Sequence, residues 1–588
     1  PPPISKNTIK LGVECSQEMI CYPYKTSLGS NRECLEKGAN CLIMYETVGT
    51  CRFRHYAHLQ EKTLKELGYD FEMYYTSWKH PLKIIKFAKE LNPKINIFKI
   101  IKAGIKTYKK IKELEMKELE KNKGDINIGL VGEIYTILED VINMNIEEKL
   151  QKLNVNVDKS VTLLSFLKHR LTPFHKTKVK REAKKLLKFK IGGHGFESVY
   201  NTMDYCKRNF DGIIHLTPLT CMPETTVSKL LDIICKKNNM PIMHLSFDDN
   251  KSEGLFKTRI EAFVETIRRK GNLNVASIEE KGYHMGIDTG SVSINFAIID
   301  NKKNIIKTLY LENKGVVETI KEGFEILKKD NIKISSVGVT GSGKELTAMV
   351  VGADTLDTEI IAHAIGTNHF VPDFKTIFEI GGEDSKIMFR SSNLDFNMND
   401  SCGGGTGSMI KAIANRLGVS IEEVGALTLN SKNSLSLPGK CGLFCQSAVV
   451  HQRNVFDAKK EDLLKGVCEA LIINTLSMLS QGKQLNPPFV FQGGCSLNIG
   501  IIKALEKKLG HKIIVPKYNT VMGAIGEAFL ALEKNPEKTN FKGFDVSDVK
   551  ASIFKKCGDC SNNCMVHQLI ENREVIRRWG SKCGKWNI

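Results

Sequence analysis

The feature that most constrains this chain is a motif that occurs twice in its second half. The segments "GIDTGSVSINFAII" and "EIGGEDSKIMF" each consist of an apolar strand, a turn of Gly with Asp and Ser, and a strand that leaves the turn. A repeated supersecondary unit of this kind predicts two lobes that close on a nucleotide. Because 588 residues are too many for one ordinary core, we expect two or three domains.

The chain separates into three blocks of different texture. Residues 1–270 alternate strand-like runs with helical periods, which predicts an open α/β domain. A polar connector leads to residues 283–532, where a second α/β pattern predicts the two-lobed domain, and residues 545–588 form a polar, cysteine-rich tail. The chain opens with Pro1, and the first pattern follows almost at once. We therefore expect that the natural N-terminus is missing, with a first strand and helix.

The formal net charge is +19, and lysines crowd residues 102–123 and 176–190, which both have helical periods. Solvated helix faces are the favoured interpretation, because no aromatic-and-basic platform that would indicate nucleic-acid binding accompanies the charge. A basic surface that attracts acidic partners or the phosphates of coenzyme A is the alternative.

No apolar run approaches the length of about 18 residues that a membrane-spanning helix needs, and no signal segment opens the chain. We therefore expect a cytoplasmic protein without membrane contact. The 17 cysteines are then unsuited to a disulfide framework, because this compartment keeps thiols reduced. Their clustering at turns, beside Gly or Pro, favours metal binding or redox chemistry.

The two repeated turns carry the groups that a nucleotide site needs. Gly allows close backbone approach, backbone N–H groups and hydroxyls can hold phosphate oxygens, and a carboxylate can hold magnesium or orient the attacking water. Asp288 and Asp384 are the candidate catalytic carboxylates. The candidate ATP- or ADP-binding residues are Gly286, Thr289, Gly290, Ser291, Gly381, Gly382, Glu383 and Ser385, with Gly493 and Gly494 of the later segment "FQGGCSLN". One such turn is a weak signal, whereas two in tandem are a stronger one.

A third glycine loop has a different interpretation. The segment from Gly338 to Lys344 satisfies the first seven positions of a P-loop, but Glu345 stands where Ser or Thr would bind magnesium. A structural glycine turn after the strand Ile334–Val339 is therefore favoured over a P-loop nucleotide site.

These motifs together resemble the BadF/BadG/BcrA/BcrD family, within the ATPase fold shared by acetate and sugar kinases, Hsp70 and actin. The resemblance covers most of Met285 to Leu532. It implies that the two turns grip the phosphates of ATP with Mg²⁺ and that the paired glycines lie near adenosine. It also implies a connecting helix over Asp357 to Ala364.

Two cysteines of this block precede predicted helices. Cys402 in "NDSCGGGTGS" and Cys441 in "PGKCGLFCQS" are flanked by glycine, and a thiolate at a helix N-terminus is stabilised by the helix dipole. Two such thiolates provide half of a four-thiolate site. The resemblance to dehydratase activases implies that a homodimer completes it, with a [4Fe-4S] cluster bridging the subunits. Buried structural thiols are the alternative, and Cys445 departs from the family, which has a small residue there.

Three cysteines of the first block, Cys21, Cys51 and Cys221, are each expected just past a strand end, where sites form in open α/β sheets. With "PPPISKNTIKLGV" and "LSFDDNKSEGLFKTRIEAF", they resemble activase-related proteins whose domain is akin to 2-hydroxyacyl-CoA dehydratase subunits. This resemblance implies a second [4Fe-4S] cluster with an open or non-cysteine fourth position. An iron-free domain is the alternative, and a relay, a scaffold and a catalytic unit all remain open as roles.

The tail holds four cysteines in a short stretch, Cys557, Cys560, Cys564 and Cys583, with turn-forming residues beside them. This spacing predicts a metal site. Spacing alone does not separate zinc from an iron–sulfur cluster.

The favoured function is ATP-dependent, low-potential electron transfer, as in the activases of 2-hydroxyacyl-CoA dehydratases and benzoyl-CoA reductases. The resemblance implies ferredoxin or flavodoxin as electron donor and a dehydratase-like or reductase iron–sulfur protein as acceptor. Two alternatives stay open: a small-molecule kinase of the same superfamily with incidental cysteines, and a non-catalytic assembly module in which ATP only gates docking.

Overall fold

A computed structural model describes residues 2–45, 51–76, 81–120, 124–159, 177–187, 191–248, 253–277, 282–399, 406–433, 435–439, 441–480, 482–546, 548–558, 564–580 and 586. The chain forms two compact units, the N-terminal unit Pro1–Arg268 and the C-terminal unit Arg269–Ile588. Both mix helices with strands, which confirms the predicted α/β class. Within the described ranges, every helix is too short or too polar to cross a bilayer.

The N-terminal unit alternates strands and helices. Its strands are β1 Cys41–Tyr45, β2 Glu72–Thr76, β3 Ile126–Gly132, β4 Val155–Lys159, β5 Gly212–Pro218 and β6 Ile242–Phe247. Its helices are α1 Lys6–Cys15, α2 Tyr22–Glu36, α3 Tyr56–Glu66, α4 Pro81–Leu91, α5 Ile97–Glu120, α6 Ile134–Leu138, α7 Ile146–Lys152, α8 Thr177–Leu186, α9 Gly195–Lys207, α10 Met222–Lys237 and α11 Glu253–Arg269.

Two parallel sheets organise this unit. The larger has the order β4-β3-β5-β6, and the smaller pairs β1 with β2. Strands β3 and β5 are buried along nearly their whole length, which is the pattern of parallel strands covered by helices on both faces. Strands β1, β3, β5 and β6 correspond to strand-like runs of the sequence, namely Cys41 to Met44, Ile126 to Val131, Gly212 to Leu216 and Pro241 to Phe247.

One sequence expectation for this unit is wrong. Cys21 does not follow a strand: it lies after α1 and directly precedes α2. Helix α1 is anchored by Ser5, whose hydroxyl accepts a hydrogen bond from the Thr8 N–H. The element that precedes Cys21 is therefore a helix and not a strand.

The C-terminal unit has thirteen strands and nine α-helices among its described residues. Its strands are β7 Tyr283–Thr289, β8 Ser293–Asp300, β9 Ile305–Glu312, β10 Ile334–Thr340, β11 Thr355–Leu356, β12 Thr376–Ile380, β13 Ser385–Arg390, β14 Leu394–Met398, β15 Phe489–Gln492, β16 Ile513–Ile514, β17 Lys550–Lys556, β18 Met565–Glu571 and β19 Glu574–Trp579. Its helices are α12 Val316–Leu327, α13 Lys344–Val351, α14 Glu359–Phe370, α15 Gly407–Arg416, α16 Ile421–Asn430, α17 Gly442–Phe456, α18 Lys460–Leu479, α19 Ile499–Leu509 and α20 Met522–Lys534.

The predicted repeat is confirmed in the sheets of this unit. One five-stranded sheet has the order β11-β10-β7-β8-β9 and the other the order β16-β15-β12-β13-β14, so the strands occupy equivalent positions in both. We call them the first and the second lobe. In each lobe the first two strands form an antiparallel hairpin, and its turn is one of the two recognised in the sequence.

Helix α20 follows the second-lobe sheet along the chain but packs on the first-lobe strands β7 and β10. Gly286 of β7 makes this approach possible, because a Cβ there would overlap Ala524 O, and Gly338 faces the same helix. Helix α20 also contacts α14 at Gly526, where a Cβ would overlap Ala362 O. These two helices therefore meet backbone to backbone.

The tail forms a three-stranded antiparallel sheet of β17, β18 and β19. Leu569 of β18 and Val549 are buried in the apolar core of the first lobe. Arg577 of β19 pairs with Glu345 at 3.1 Å. The tail sheet is thus packed on the first lobe.

Candidate functional site

A cavity of about 770 Å³ lies between the two lobes. Eight of the twelve sequence-predicted nucleotide-site residues line it: Asp288, Gly290, Ser291, Gly381, Gly382, Asp384, Gly493 and Gly494. The first three come from the hairpin turn of the first lobe and the next three from the equivalent turn of the second. The cavity therefore receives the two turns from opposite sides.

The other four predicted residues lie beside the cavity. Gly286 faces α20, as described above, and its role is close packing. Thr289 is buried, with its hydroxyl 2.8 Å from that of Thr347. Ser385 is buried and does not line the cavity. Its N–H donates to Asn399 Oδ1. Glu383 is exposed on the second turn.

The P-loop-like segment supports the first turn. Gly341 has φ of +88°, and a Cβ there would lie 2.6 Å from Thr289 O and 2.7 Å from Asp288 Oδ1. The Gly343 N–H donates to Thr289 O at 3.0 Å. Lys344 donates to the backbone oxygen of Asp357. This confirms the structural interpretation of the loop, and the predicted connecting helix is α14, which begins two residues later at Glu359.

A buried lysine lies among the carboxyl groups of the cavity. Lys386 Nζ is 2.9 Å from carboxylate oxygens of both Glu379 and Asp384, and 3.3 Å from Glu359. Burial acts to lower the pKa of Lys386, but these carboxylates raise it well above its ordinary value. Burial acts to raise the pKa of Asp384, but the lysine holds it below its usual range. The lysine and Asp384 are therefore a charged pair inside the protein.

Burial raises the pKa values of three other acidic side chains of the cavity. Burial raises the pKa of Asp288 to about 7, with a further contribution from Glu359. Burial also raises the pKa values of Glu359 and Glu379 to about 7. One lysine faces four carboxyl groups, and a divalent cation bound with the phosphates of a nucleotide would offset the excess negative charge.

A neutral histidine lies beside Asp288. His363 Nε2 lies 3.9 Å from Asp288 Oδ2, and Gln492 Nε2 donates to His363 Nδ1 at 3.0 Å. Burial and the charge of Lys386 lower the pKa of His363 to about 3. The donor at Nδ1 leaves the hydrogen on Nε2, on the side of Asp288.

Sequence reasoning missed Lys386, Glu359, Glu379 and His363. Two signals were present: Glu379 interrupts the apolar strand "TIFEI", and Lys386 directly precedes the apolar run Ile387–Phe389. Charged residues in buried strands require partners. Glu359 and His363 gave no comparable signal, because they lie on a separate helix.

The second turn also contacts the helix that follows Cys402. The Gly407 N–H donates to Gly381 O at 2.9 Å, and the Ser408 N–H donates to Gly382 O at 2.8 Å. Helix α15 thus begins on the turn that lines the cavity. Cys402, five positions before this helix, lies outside the described residues.

Cys441 directly precedes α17 at its N-terminus and is partly exposed. Its neighbours Leu443 and Phe444 are 68% and 67% exposed, so this helix end presents an apolar surface. Cys445 instead lies in the apolar core of the second lobe, where burial raises its thiol pKa to about 11. Cys445 is therefore a packing residue.

The N-terminal unit brings Cys21, Cys51 and Cys221 together. Each directly precedes a helix, namely α2, the 3₁₀ helix Arg52–His55 and α10. Burial raises the pKa values of all three thiols. A negative charge on Cys21 further raises the pKa of Cys51. A negative charge on Cys51 further raises the pKa of Cys221. Three helix N-termini therefore converge on three neighbouring thiols.

The surroundings of these thiols fit an iron–sulfur cluster. A Cβ at Gly193, which has φ of +63°, would lie 3.4 Å from Cys51 Sγ, so the glycine leaves space beside this thiol. Helix N-termini stabilise thiolates and an anionic cluster. Among the described residues no group of three or more His, Cys, Asp or Glu is arranged around a single ion. In an iron–sulfur cluster each thiolate binds a different iron, so the thiols need not surround a single ion.

In the tail, the hairpin of β17 and β18 brings two of the four predicted ligands together. The Cys557 N–H donates to Cys564 O at 2.7 Å, and both residues are buried. Cys560 and Cys583 lie outside the described residues.

Comparison with known proteins matches two parts of the chain. The model of the BadF/BadG/BcrA/BcrD ATPase family matches residues 285–531. The model of the 2-hydroxyglutaryl-CoA dehydratase D-component matches residues 195–267, which include Cys221.

Several relatives are dehydratase activators. The 2-hydroxyisocaproyl-CoA dehydratase activator of Clostridioides difficile is 30% identical over 43% of this chain and 97% of its own length. The (R)-2-hydroxyglutaryl-CoA dehydratase activating ATPase of Acidaminococcus fermentans is 27% identical over 43% of this chain and 98% of its own.

A solved structure of the activator of the 2-hydroxyisocaproyl-CoA dehydratase from Clostridium difficile, with bound ADPNP, is 29% identical to this chain. It covers 43% of this chain and 95% of its own length, with a TM-score of 0.41. The two phosphate-type turns, the cavity between them and the match to nearly complete activator sequences lead to one conclusion: this chain belongs to the BadF/BadG/BcrA/BcrD ATPase family.

Proposed function

We propose that the chain hydrolyses ATP in the cavity of its C-terminal unit to drive low-potential electron transfer. Ferredoxin or flavodoxin would donate the electrons, and a 2-hydroxyacyl-CoA dehydratase-like or reductase iron–sulfur protein would accept them. The observation that carries this proposal is the pair of hydrogen bonds from Gly407 and Ser408 to the turn Gly381–Gly382. One turn thereby contacts both the cavity and the helix that follows Cys402.

The residues of the cavity have distinct roles in ATP hydrolysis. Ser291 and Gly382 would offer backbone N–H and hydroxyl groups to the phosphates. The N–H groups of Gly290 and Gly381 instead close the turns themselves, donating to Ser293 O and Asp384 O at 2.9 Å. Asp288 and Asp384 would hold Mg²⁺ or orient the attacking water, while Lys386 keeps Asp384 in place. Closure of the lobes on ATP would displace the second turn, and α15 would move with it.

The electron-carrying site is proposed at a homodimer interface, where Cys402 and Cys441 of each subunit would hold one [4Fe-4S] cluster. Such a cluster supplies one-electron transfer when bound. The position of Cys441 at a helix N-terminus supports this assignment, because the helix dipole favours a thiolate. The exposed Leu443 and Phe444 beside it are apolar groups that a partner subunit would cover.

The N-terminal unit and the tail complete the proposal. Cys21, Cys51 and Cys221 would hold a second [4Fe-4S] cluster, and Cys557, Cys560, Cys564 and Cys583 would hold zinc or an iron–sulfur cluster. Every cysteine among the described residues is a free thiol. This suits the reducing conditions of the cytoplasm.

The test is a Cys441→Ser substitution in anaerobically purified full-length protein. Loss of one ligand per subunit removes the bridging cluster, so iron and sulfide contents fall and dimerisation weakens, because cluster binding contributes to dimer stability. Iron and sulfide analysis with analytical ultracentrifugation measures both effects. Cys402→Ser is expected to give the same result.

Asp288→Asn is the matched control. It removes a carboxylate from the cavity but no thiol, so ATP hydrolysis is lost while iron content and dimerisation are retained. A Cys441→Ser protein with full iron content, in a dimer as tight as wild type, would contradict the bridging cluster.

A further inference from the structure

Glu224 is a buried carboxyl group with one oxygen that lacks a partner. The residue lies in the first turn of α10, three positions after Cys221, and is completely buried. Its Oε2 accepts hydrogen bonds from Ser198 Oγ at 2.8 Å and His215 Nε2 at 3.0 Å. No hydrogen-bond partner for Oε1 is present among the described residues.

The partners of Oε2 hold the carboxyl group in a fixed orientation. His215 Nδ1 lies 2.8 Å from His244 Nδ1, and His244 Nε2 lies 2.8 Å from Asp232 Oδ1. His244 and Asp232 are each one-third exposed, so this chain of polar groups extends from the buried carboxyl to the surface. A ligating group is commonly fixed in this way by hydrogen bonds behind it.

The carboxyl group of Glu224 lies near two of the three thiols. A negative charge on Glu224 raises the pKa values of both Cys51 and Cys221. A hydrogen bond from the Glu224 N–H lowers the pKa of the Cys221 thiol. Gly193 contacts the same region, because a Cβ there would lie 3.0 Å from Pro223 Cγ and 3.4 Å from Cys51 Sγ. The carboxyl group, two of the thiols and the space beside Gly193 are therefore adjacent.

A second carboxyl group near these thiols provides a comparison. A negative charge on Glu133 raises the pKa values of all three thiols. Both of its carboxylate oxygens, however, already accept hydrogen bonds. Its Oε1 accepts from the Tyr135 N–H at 3.1 Å, and its Oε2 accepts from the N–H and hydroxyl of Thr136, both at 2.9 Å. Glu133 therefore caps α6, whereas Oε1 of Glu224 has no hydrogen-bond partner among the described residues.

We propose that Glu224 Oε1 is the non-cysteine ligand of the iron–sulfur cluster held by Cys21, Cys51 and Cys221. This inference rests on the proposed function, because it requires the cluster of the N-terminal unit. A buried carboxyl oxygen without a partner is costly, and bonding to iron satisfies it. Carboxylate is an established ligand of divalent first-row metals.

The experiment follows the fourth iron of the cluster. Anaerobically reconstituted full-length protein is treated with ferricyanide, and electron paramagnetic resonance records the three-iron cluster that remains when the iron without a cysteine ligand leaves. Glu224→Gln removes the carboxylate, so this iron is expected to leave about tenfold faster than in wild type. Mössbauer spectra of the untreated proteins give a second readout, because the signal of that iron changes with its ligand.

Glu133→Gln is the matched control, since it neutralises the other buried carboxyl beside the same thiols. Its rate of iron loss is expected to equal that of wild type. Equal acceleration in both variants would mean a general effect of charge and would overturn the assignment, as would unchanged rates and Mössbauer spectra in Glu224→Gln.

The failure of the proposed function has a separate signature. If Cys21→Ser leaves the iron content of the chain unchanged, then no cluster depends on these thiols and the premise itself is wrong. If Cys21→Ser lowers the iron content while Glu224→Gln behaves as wild type, the cluster stands and only the role of Glu224 falls. Should Glu224→Gln fail to fold, the wild-type protein in ¹⁷O-enriched water gives the second test. A strong ¹⁷O coupling to the reduced cluster in electron–nuclear double resonance would mean a water ligand and would overturn the assignment, whereas its absence is expected for a carboxylate ligand.

Discussion

At the scale of single residues, Lys386 determines the charge balance of the nucleotide cavity. It is almost completely buried and lies within 3.3 Å of oxygens from Glu359, Glu379 and Asp384. Removing one partner of a buried ionic group leaves the others charged and unsatisfied. The lysine therefore stabilises both the fold of the second lobe and the position of Asp384.

Lys386→Met is expected to lower the free energy of unfolding by about 3–5 kcal/mol, because it leaves buried carboxylates without their cation. Urea denaturation of the nucleotide-free protein measures this loss. Lys307→Met is the control: its partner Asp330 lies at 2.7 Å, but both side chains are about one-third exposed, so a loss below about 1 kcal/mol is expected. Similar losses in the two variants would show that burial gives Lys386 no special role.

At the scale of elements, the contact between α14 and α20 depends on glycine. A Cβ at Gly526 would overlap Ala362 O, and a Cβ at Gly366 would lie 2.6 Å from Met522 O. Two helices that meet at their backbones have no room for a methyl group between them. Their separation is therefore fixed by single residues on each helix.

Gly526→Ala is expected to destabilise the C-terminal unit by about 1–3 kcal/mol, because the added methyl group forces the helices apart. Calorimetry of the full chain measures the change. Gly104→Ala in α5 is the control, since no described atom lies within 4 Å of the added Cβ and alanine favours a helix by up to about 1 kcal/mol. An unchanged Gly526→Ala protein would mean that the helices separate at little cost.

The sequence predicted elements that are encoded locally. Both turn motifs, the strand β10 and the strands of the larger sheet around β5 follow from apolar runs and turn residues in one stretch of chain. The approach of Glu359 to Lys386 and of Glu224 to Cys51 was not predictable, because each pair comes from different elements that tertiary packing brings together. The expectation for Cys21 was wrong because an amphipathic pattern of ten residues, α1, occupies the place given to a strand.

At the scale of the whole molecule, the nucleotide cavity and the site of Cys21, Cys51 and Cys221 belong to different compact units. The cavity between the lobes is built from the C-terminal unit, and the three neighbouring thiols belong to the N-terminal unit. A ligand that binds only the folded form of one unit stabilises that unit by mass action.

Mg-ADPNP at about one hundred times its dissociation constant is expected to stabilise the C-terminal unit by about 2.7 kcal/mol. Differential scanning calorimetry detects this as an upward shift of the transition that Gly526→Ala lowers. Mg²⁺ alone at the same concentration is the control and is expected to give a smaller shift. A nucleotide that shifts only the other transition would contradict the assignment of the cavity.

The convergence of the three thiols has a consequence for the biogenesis of the protein. Cys21 and Cys221 are 200 positions apart, and Cys51 lies between them. Contacts between such distant segments form late in folding, because a long loop must close first. A site built from all three residues does not exist on a ribosome-bound chain that ends before Cys221, so the proposed cluster could be loaded only after most of the N-terminal unit has been synthesised.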